Sequence, residues 1–164
     1  MAKPTKYAPH LCTLFMVIAI IGIIFGFVFK QGIIPIILLL PTAIYEAYRT
    51  EGKSTKTASI VLLTVLVALM FLFLFDIQIN IGEFLGSEQQ YIGGYWVPLG
   101  DLRIGATAVI AIISVILFTR TRGVYTKWLA VIIFVTSFAI IYLIDPAAFS
   151  DLFKYGIDEA LRRF

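Results

Sequence analysis

Long apolar runs alternate with short polar breaks along the whole chain. Residues 11–29 carry no charge, and a second run, 33–45, follows after only Lys30, Gln31 and Gly32. Three more uncharged runs cover 58–75, 104–119 and 128–144. Crossing ~30 Å of hydrocarbon takes about 20 apolar residues in a helix, with a working range of about 17–25. In hydrocarbon, backbone N–H and C=O groups have no water to bond, so each run has to be a helix that satisfies its own backbone. The pattern therefore predicts an all-α integral membrane protein. Its helical domain, residues 1–145, is a bundle of about five transmembrane helices at 11–29, 33–48, 58–75, 104–119 and 128–144, and the first two form a tight hairpin.

The second run is the short one and reaches spanning length only if Glu46 and Tyr48 are included. Pro35 suits a first helical turn, where no intrahelical donor is lost. Pro41 lies mid-run and predicts a kink, which neighbouring helices can tolerate by satisfying the freed carbonyl. A full span is the reading, with a re-entrant segment as the alternative.

The polar breaks set the orientation. Lys3 and Lys6, then Arg49, Lys53 and Lys56, then Arg120, Arg122 and Lys127 all fall on one side of a five-span bundle. Short loops rich in Lys and Arg stay cytoplasmic, so the N-terminus is expected inside a plasma membrane and the C-terminus outside. The first run, following Lys3 and Lys6, resembles a signal peptide but is longer than the usual apolar core of one. It is read as an uncleaved helix.

Two connections have their own pattern. In the extracytoplasmic loop, 76–103, Ile77, Ile79 and Ile81 alternate with Gln78 and Asn80 at a strand-like period. Tyr91, Tyr95 and Trp96 among glycines and Pro98 read as turns with aromatic anchors at headgroup level. After 145, Asp145 and Pro146 make an N-cap and first position. Phe149, Phe153, Ile157 and Leu161 then recur on one face, with charges elsewhere, which predicts an amphipathic interfacial helix over 146–164. Tyr91, Tyr95, Trp96 and this stripe are the candidate contacts for lipid or a partner.

Composition agrees with the pattern. The chain of 164 residues is 60% hydrophobic and 14% charged, against about 25% charged in a soluble domain, and its mean hydropathy is +0.98. The net charge of +3 suits loops facing anionic lipid, and no basic aromatic surface points to nucleic acid. With one His and one Cys, a four-ligand zinc site or a bis-histidine haem is excluded within the chain, so no cofactor is expected. No phosphate loop or nucleophile–base pair appears.

Intramembrane charge is the usual mark of transport, and Glu46 is the candidate ion residue, expected to pair with Arg49 or reach water. Asp76 and Asp145 read as helix-end markers. Thr64, Thr107, Ser114, Thr136 and Ser137 are expected to bond back to their own helices. Gly22 and Gly26, and Gly105, Ala108 and Ala111, are small residues that let helices approach closely. Residues 69–75, bulky all round, are expected to face lipid. These features favour a non-catalytic accessory or scaffolding subunit of a larger membrane complex. Its partners would be the bilayer and other membrane subunits or copies of itself. A small transporter or channel using Glu46 is the alternative. A lipid-modifying enzyme using Glu83, Glu88 or Asp101 is the thinnest reading.

Overall fold

A computed structural model describes residues 7–79, 89–92, 95–98, 101–121, 123–147 and 149–150; in 89–92 and 95–98 only the backbone is described. Among the described residues the long helices are α1 (Ala8–Phe29), α2 (Ile33–Arg49), α3 (Lys53–Leu74), α4 (Leu102–Arg120) and α5 (Val124–Ile144). Four of them, all except α2, are long and apolar enough to cross a membrane. At 1.5 Å per residue they run about 28–33 Å, which matches the ~30 Å of hydrocarbon. α2, with 17 residues, lies beside them and is the most amphipathic, its buried stripe passing from Ile36 and Leu39 to Thr42, Glu46 and Arg49.

The helices extend beyond the apolar runs at their polar ends. α3 begins at Lys53 and includes Ser54, Thr55 and Lys56, because outside the hydrocarbon water can cover polar side chains without disturbing the backbone helix.

Successive helices run antiparallel. Gly22 faces Leu38 and Gly26 faces Pro35 across the α1–α2 hairpin. A Cβ at either glycine would stand 2.8–2.9 Å from those side chains, so this small-residue pair is used inside the chain. α1 also packs on α5, α2 on α3 and α5, α3 on α4, and α4 on α5. The first end of α1 and the last residues of α2 and α4 thus share one end of the bundle, here called proximal. Lys30, the end of α3, the start of α4 and the end of α5 share the distal end.

The core is aliphatic, with Ile36, Leu39, Leu62, Leu66, Ile110, Leu117 and Ile133 fully buried. Outside it, bulky apolar side chains such as Ile24, Phe71, Ile112 and Val135 stand exposed, as a lipid-facing surface allows. One expectation is corrected in α3. Residues 69–75 do not all face outward: Leu69 is fully buried and Phe73 packs partly buried on the core, because α3 also closes against α2 and α4. The five hydroxyls expected to bond their own helices do so: Thr64 donates to Ile60, Thr107 to Arg103, Ser114 to Ala111, Thr136 to Ile132 and Ser137 to Ile133.

In the long connection, β1 (Gln89–Ile92) pairs antiparallel with β2 (Tyr95–Pro98), with Tyr91 opposite Trp96 and Ile92 opposite Tyr95. This replaces the turns read from the sequence. Two residues, Gly93 and Gly94, separate the strands, the spacing of a tight hairpin. Ile77 and Ile79 lie in no strand.

After α5, Asp145 accepts from Ala147 N–H at 2.8 Å and a helical turn begins. Phe149 packs edge-on against Phe138 and Tyr142, centroids 6.2 and 5.5 Å away. Phe153, Ile157 and Leu161 lie outside the described residues, as do Glu83, Glu88 and the side chains of Tyr91, Tyr95 and Trp96.

Candidate functional site

Two buried polar clusters, one at each end, interrupt the apolar bundle. The proximal one is built on α2. Thr42, Glu46 and Arg49 follow at spacings of four and three, so they continue the buried face that Ile36 and Leu39 begin. That face meets α1 at Cys12, because the glycine seat at Gly22 and Gly26 holds the two helices close and antiparallel. Thr42 donates to the Phe15 carbonyl at 3.2 Å, and the Phe15 and Tyr45 rings lie 5.0 Å apart.

Glu46 is 0% exposed and Arg49 is 7% exposed. The expected Glu46–Arg49 ion pair does not form, and Glu46 does not reach water. Arg49 Nη1 instead donates to Cys12 Sγ at 3.1 Å. Thr50 Oγ1 donates to Glu46 Oε1 at 3.1 Å, while its backbone N–H caps α2 on the Glu46 carbonyl. The rotation between Glu46 and Arg49 along the helix lets each side chain find a different neighbour before they find each other. Glu46 Oε2, Arg49 Nε, Tyr45 OH and, after α4, Thr121 Oγ1 are buried with no hydrogen-bond partner. Buried polar atoms are nearly always paired. An open acceptor, Glu46 Oε2, and an open donor, Arg49 Nε, on one buried face of α2 can hold a polar guest.

The distal cluster is built on Arg103, in the first turn of α4 and 7% exposed. Its Nε donates to the Ile77 carbonyl and its Nη2 to the Leu72 carbonyl, both at 3.2 Å. Nη2 also bonds Asp76 Oδ1 at 2.9 Å, and Asp101 Oδ2 stands 3.6 Å from Nε. The guanidinium lies 4.8 Å over the Phe73 ring, a cation–π contact. The α3 end is shaped to receive it. Asp76 takes the left-handed conformation, φ 47°, and Ile77 N–H returns to the Leu72 carbonyl at 3.0 Å, a Schellman-type stop. Hydrogen bonds from Arg103 and Gln78 hold the Asp76 carboxyl below its ordinary range. Asp101 caps α4 by accepting from Arg103 N–H at 3.0 Å. The sequence reading passed over Arg103; the signal for it was a helix-capping Asp101 two residues before a cation, facing Asp76 at the previous helix end.

Beside this clamp lies an open cavity of about 550 Å³, lined by the ends of α1, α3, α4 and α5. Gly32 sits on it beneath Phe73, whose ring a Cβ would approach to 2.8 Å.

The remaining small residues separate. Ala111 is buried, Ala108 is half-buried, and Gly105 is exposed with nothing within 4 Å of where its Cβ would be. Among the described residues, no group of three or more His, Cys, Asp or Glu side chains is arranged to hold a metal ion.

No family model matches the chain, and comparison with curated proteins and with solved structures gives no match.

Proposed function

We propose that this chain is a non-catalytic accessory or scaffolding subunit of a larger membrane complex. The observation that carries the reading is the bare backbone at Gly105. On α4 it heads an outward face continued by Val109, Ile112 and Ile116. Gly105 lies in the first turn of α4, and among the described residues nothing uses the space it leaves. Small residues on the lipid side of a spanning helix are what a second helix needs to approach. In this reading all five helices span a plasma membrane. The proximal end, carrying Arg49, Lys53, Lys56, Arg120 and Lys127, is cytoplasmic by the basic-loop rule, and the end of α5 at Asp145 lies at the opposite interface.

Gly105→Leu tests the reading, because among the described residues nothing stands within 4 Å of where the new side chain would begin. Mild-detergent extraction of the tagged protein should yield a large assembly for the wild type. For G105L it should yield the folded chain stripped of its co-purifying subunits. Unchanged co-purification, or a wild-type chain that runs alone, overturns it.

A second reading, a small transporter, is favoured by one atom: the unpartnered Glu46 Oε2 in the bundle interior. It predicts that Glu46→Gln abolishes flux in proteoliposomes while extraction behaviour stays the same.

A further inference from the structure

We infer that the distal cavity is a binding site for the headgroup of a zwitterionic phospholipid bearing a primary ammonium. The inference is independent of the subunit reading. Three observations meet there. Among the described residues, the charged groups lining the cavity are Lys30, Arg103, Asp101 and Asp145, two of each sign, so these groups have no net charge to offer a purely anionic ligand. Arg103 and Asp101 are already committed to each other and to the helix ends. Lys30 makes no ion pair among the described residues. Asp145 gives one oxygen to Ala147 N–H, and its second oxygen has no partner among the described residues. One open cation and one open acceptor are left on the same rim. They are complementary to a phosphate ester linked to an ammonium group.

The walls choose between a soluble zwitterion and a lipid. Ile33, Ile104, Leu143 and Ile144 line the same cavity and are each only half-buried. They give the ligand an apolar side that a free phosphoethanolamine does not need and a glycerolipid does. The depth also fits. Lys30 and Asp145 directly follow the last residues of α1 and α5, two helices long enough to cross, so both stand at headgroup level. A primary ammonium can donate N–H to the Asp145 carboxylate, whereas a quaternary choline has no N–H to donate. Phosphatidylethanolamine is therefore preferred over phosphatidylcholine. Phosphatidylglycerol, with a net negative charge, would face Asp101 and Asp145 without a compensating ammonium.

Two substitutions test this without disturbing the fold. Lys30 holds φ 52°, a conformation that Asn adopts more readily than Lys, so Lys30→Asn removes the cation and keeps the helix stop. Asp145→Asn keeps the cap on Ala147, since Asn caps as well as Asp. The full chain is equilibrated with equal amounts of the three lipids with matched acyl chains, and retained lipid is counted by native mass spectrometry. The wild type should keep one phosphatidylethanolamine, about fivefold or more over each competitor, as expected for an exposed charge-paired site. Either variant should lose that preference while remaining monodisperse and helical. Equal retention of the three lipids, or variants that keep the wild-type preference, overturns the site. Displacement of the lipid by millimolar phosphoethanolamine would overturn the lipid assignment in favour of a soluble zwitterion.

Discussion

At the distal end a buried arginine ties two helices together; at the proximal end a buried arginine and glutamate sit three residues apart without touching. Arg103 meets two carbonyls at the end of α3, two carboxylates and an aromatic face. It supplies the helix C-terminus with the positive charge that its dipole favours. Arg49 has a thiol, a poor acceptor, and an unpartnered Nε, while Glu46 has one hydroxyl and an unpartnered Oε2. The difference separates a structural cation from a functional candidate. Burial alone did not distinguish them; satisfaction did.

The comparison breaks most sharply if Arg103 is removed. Arg103→Met should cost about 3 kcal/mol, the upper end for hydrogen bonds from a charged group, because the part-buried bonds to the Leu72 and Ile77 carbonyls lose their side-chain donor. Unfolding in mixed detergent micelles would read it. A loss under about 1 kcal/mol would mean that water replaces the clamp and that the two ends are alike.

Gly32→Ala should follow in size. The added methyl meets the Phe73 ring at 2.8 Å, and because φ at Gly32 is −65° the cost is steric rather than conformational. A loss of about 1–3 kcal/mol is expected for overpacking of this kind. Phe73→Leu in the same background should recover part of it by opening space while giving up the cation–π contact. The same unfolding assay checks both.

Glu46→Leu should behave in the opposite way. A half-satisfied buried carboxylate is costly, and replacing it with a packed aliphatic group is often neutral or stabilising by about 1–4 kcal/mol. Stability should therefore hold or rise even as any function of the cluster is lost. A loss of about 3–5 kcal/mol, typical of breaking a buried ion pair, would show that Glu46 and Arg49 do compensate each other and that the proximal end is structural too.

The helices were legible because hydrocarbon leaves the backbone a single option, so the apolar runs map onto α1 to α5, four of them long and apolar enough to cross. Their polar ends and the facing of 69–75 were misjudged. Glu46 was legible as a residue but not as a site. Its neighbour Cys12 comes from another helix, at a register set by Gly22 and Gly26 seating on Leu38 and Pro35. Spacing within α2 shows Arg49 three residues on and predicts a pair; it cannot show that both side chains turn to different partners. Arg103 was hidden for a related reason. Its partners lie at residues 72, 76 and 77, on the far side of a connection whose path the hydropathy pattern does not trace. The strand pairing of 89–92 with 95–98 was missed because glycine and aromatic residues read equally as turn and as hairpin.

The smallest effect expected is the pH dependence of the distal clamp. Hydrogen bonds from Arg103 and Gln78 lower the Asp76 carboxyl from its ordinary value. A group depressed on folding adds stability that is fully present above its unfolded pKa and is lost as pH falls through the folded one. The contribution should thus be constant from neutral pH down to the ordinary carboxylate range and fade below it. It should be slight, because the Asp76 side chain is 79% exposed and water screens its charge. Asp76→Asn should flatten the acid limb of the stability curve and leave the neutral plateau almost where it was, since the Arg103 bonds to the two carbonyls remain. If D76N instead lowered the plateau as far as Arg103→Met does, the clamp would act through its exposed ion pair rather than through the helix end, and saturation by backbone acceptors would no longer be what distinguishes the distal end from the proximal one.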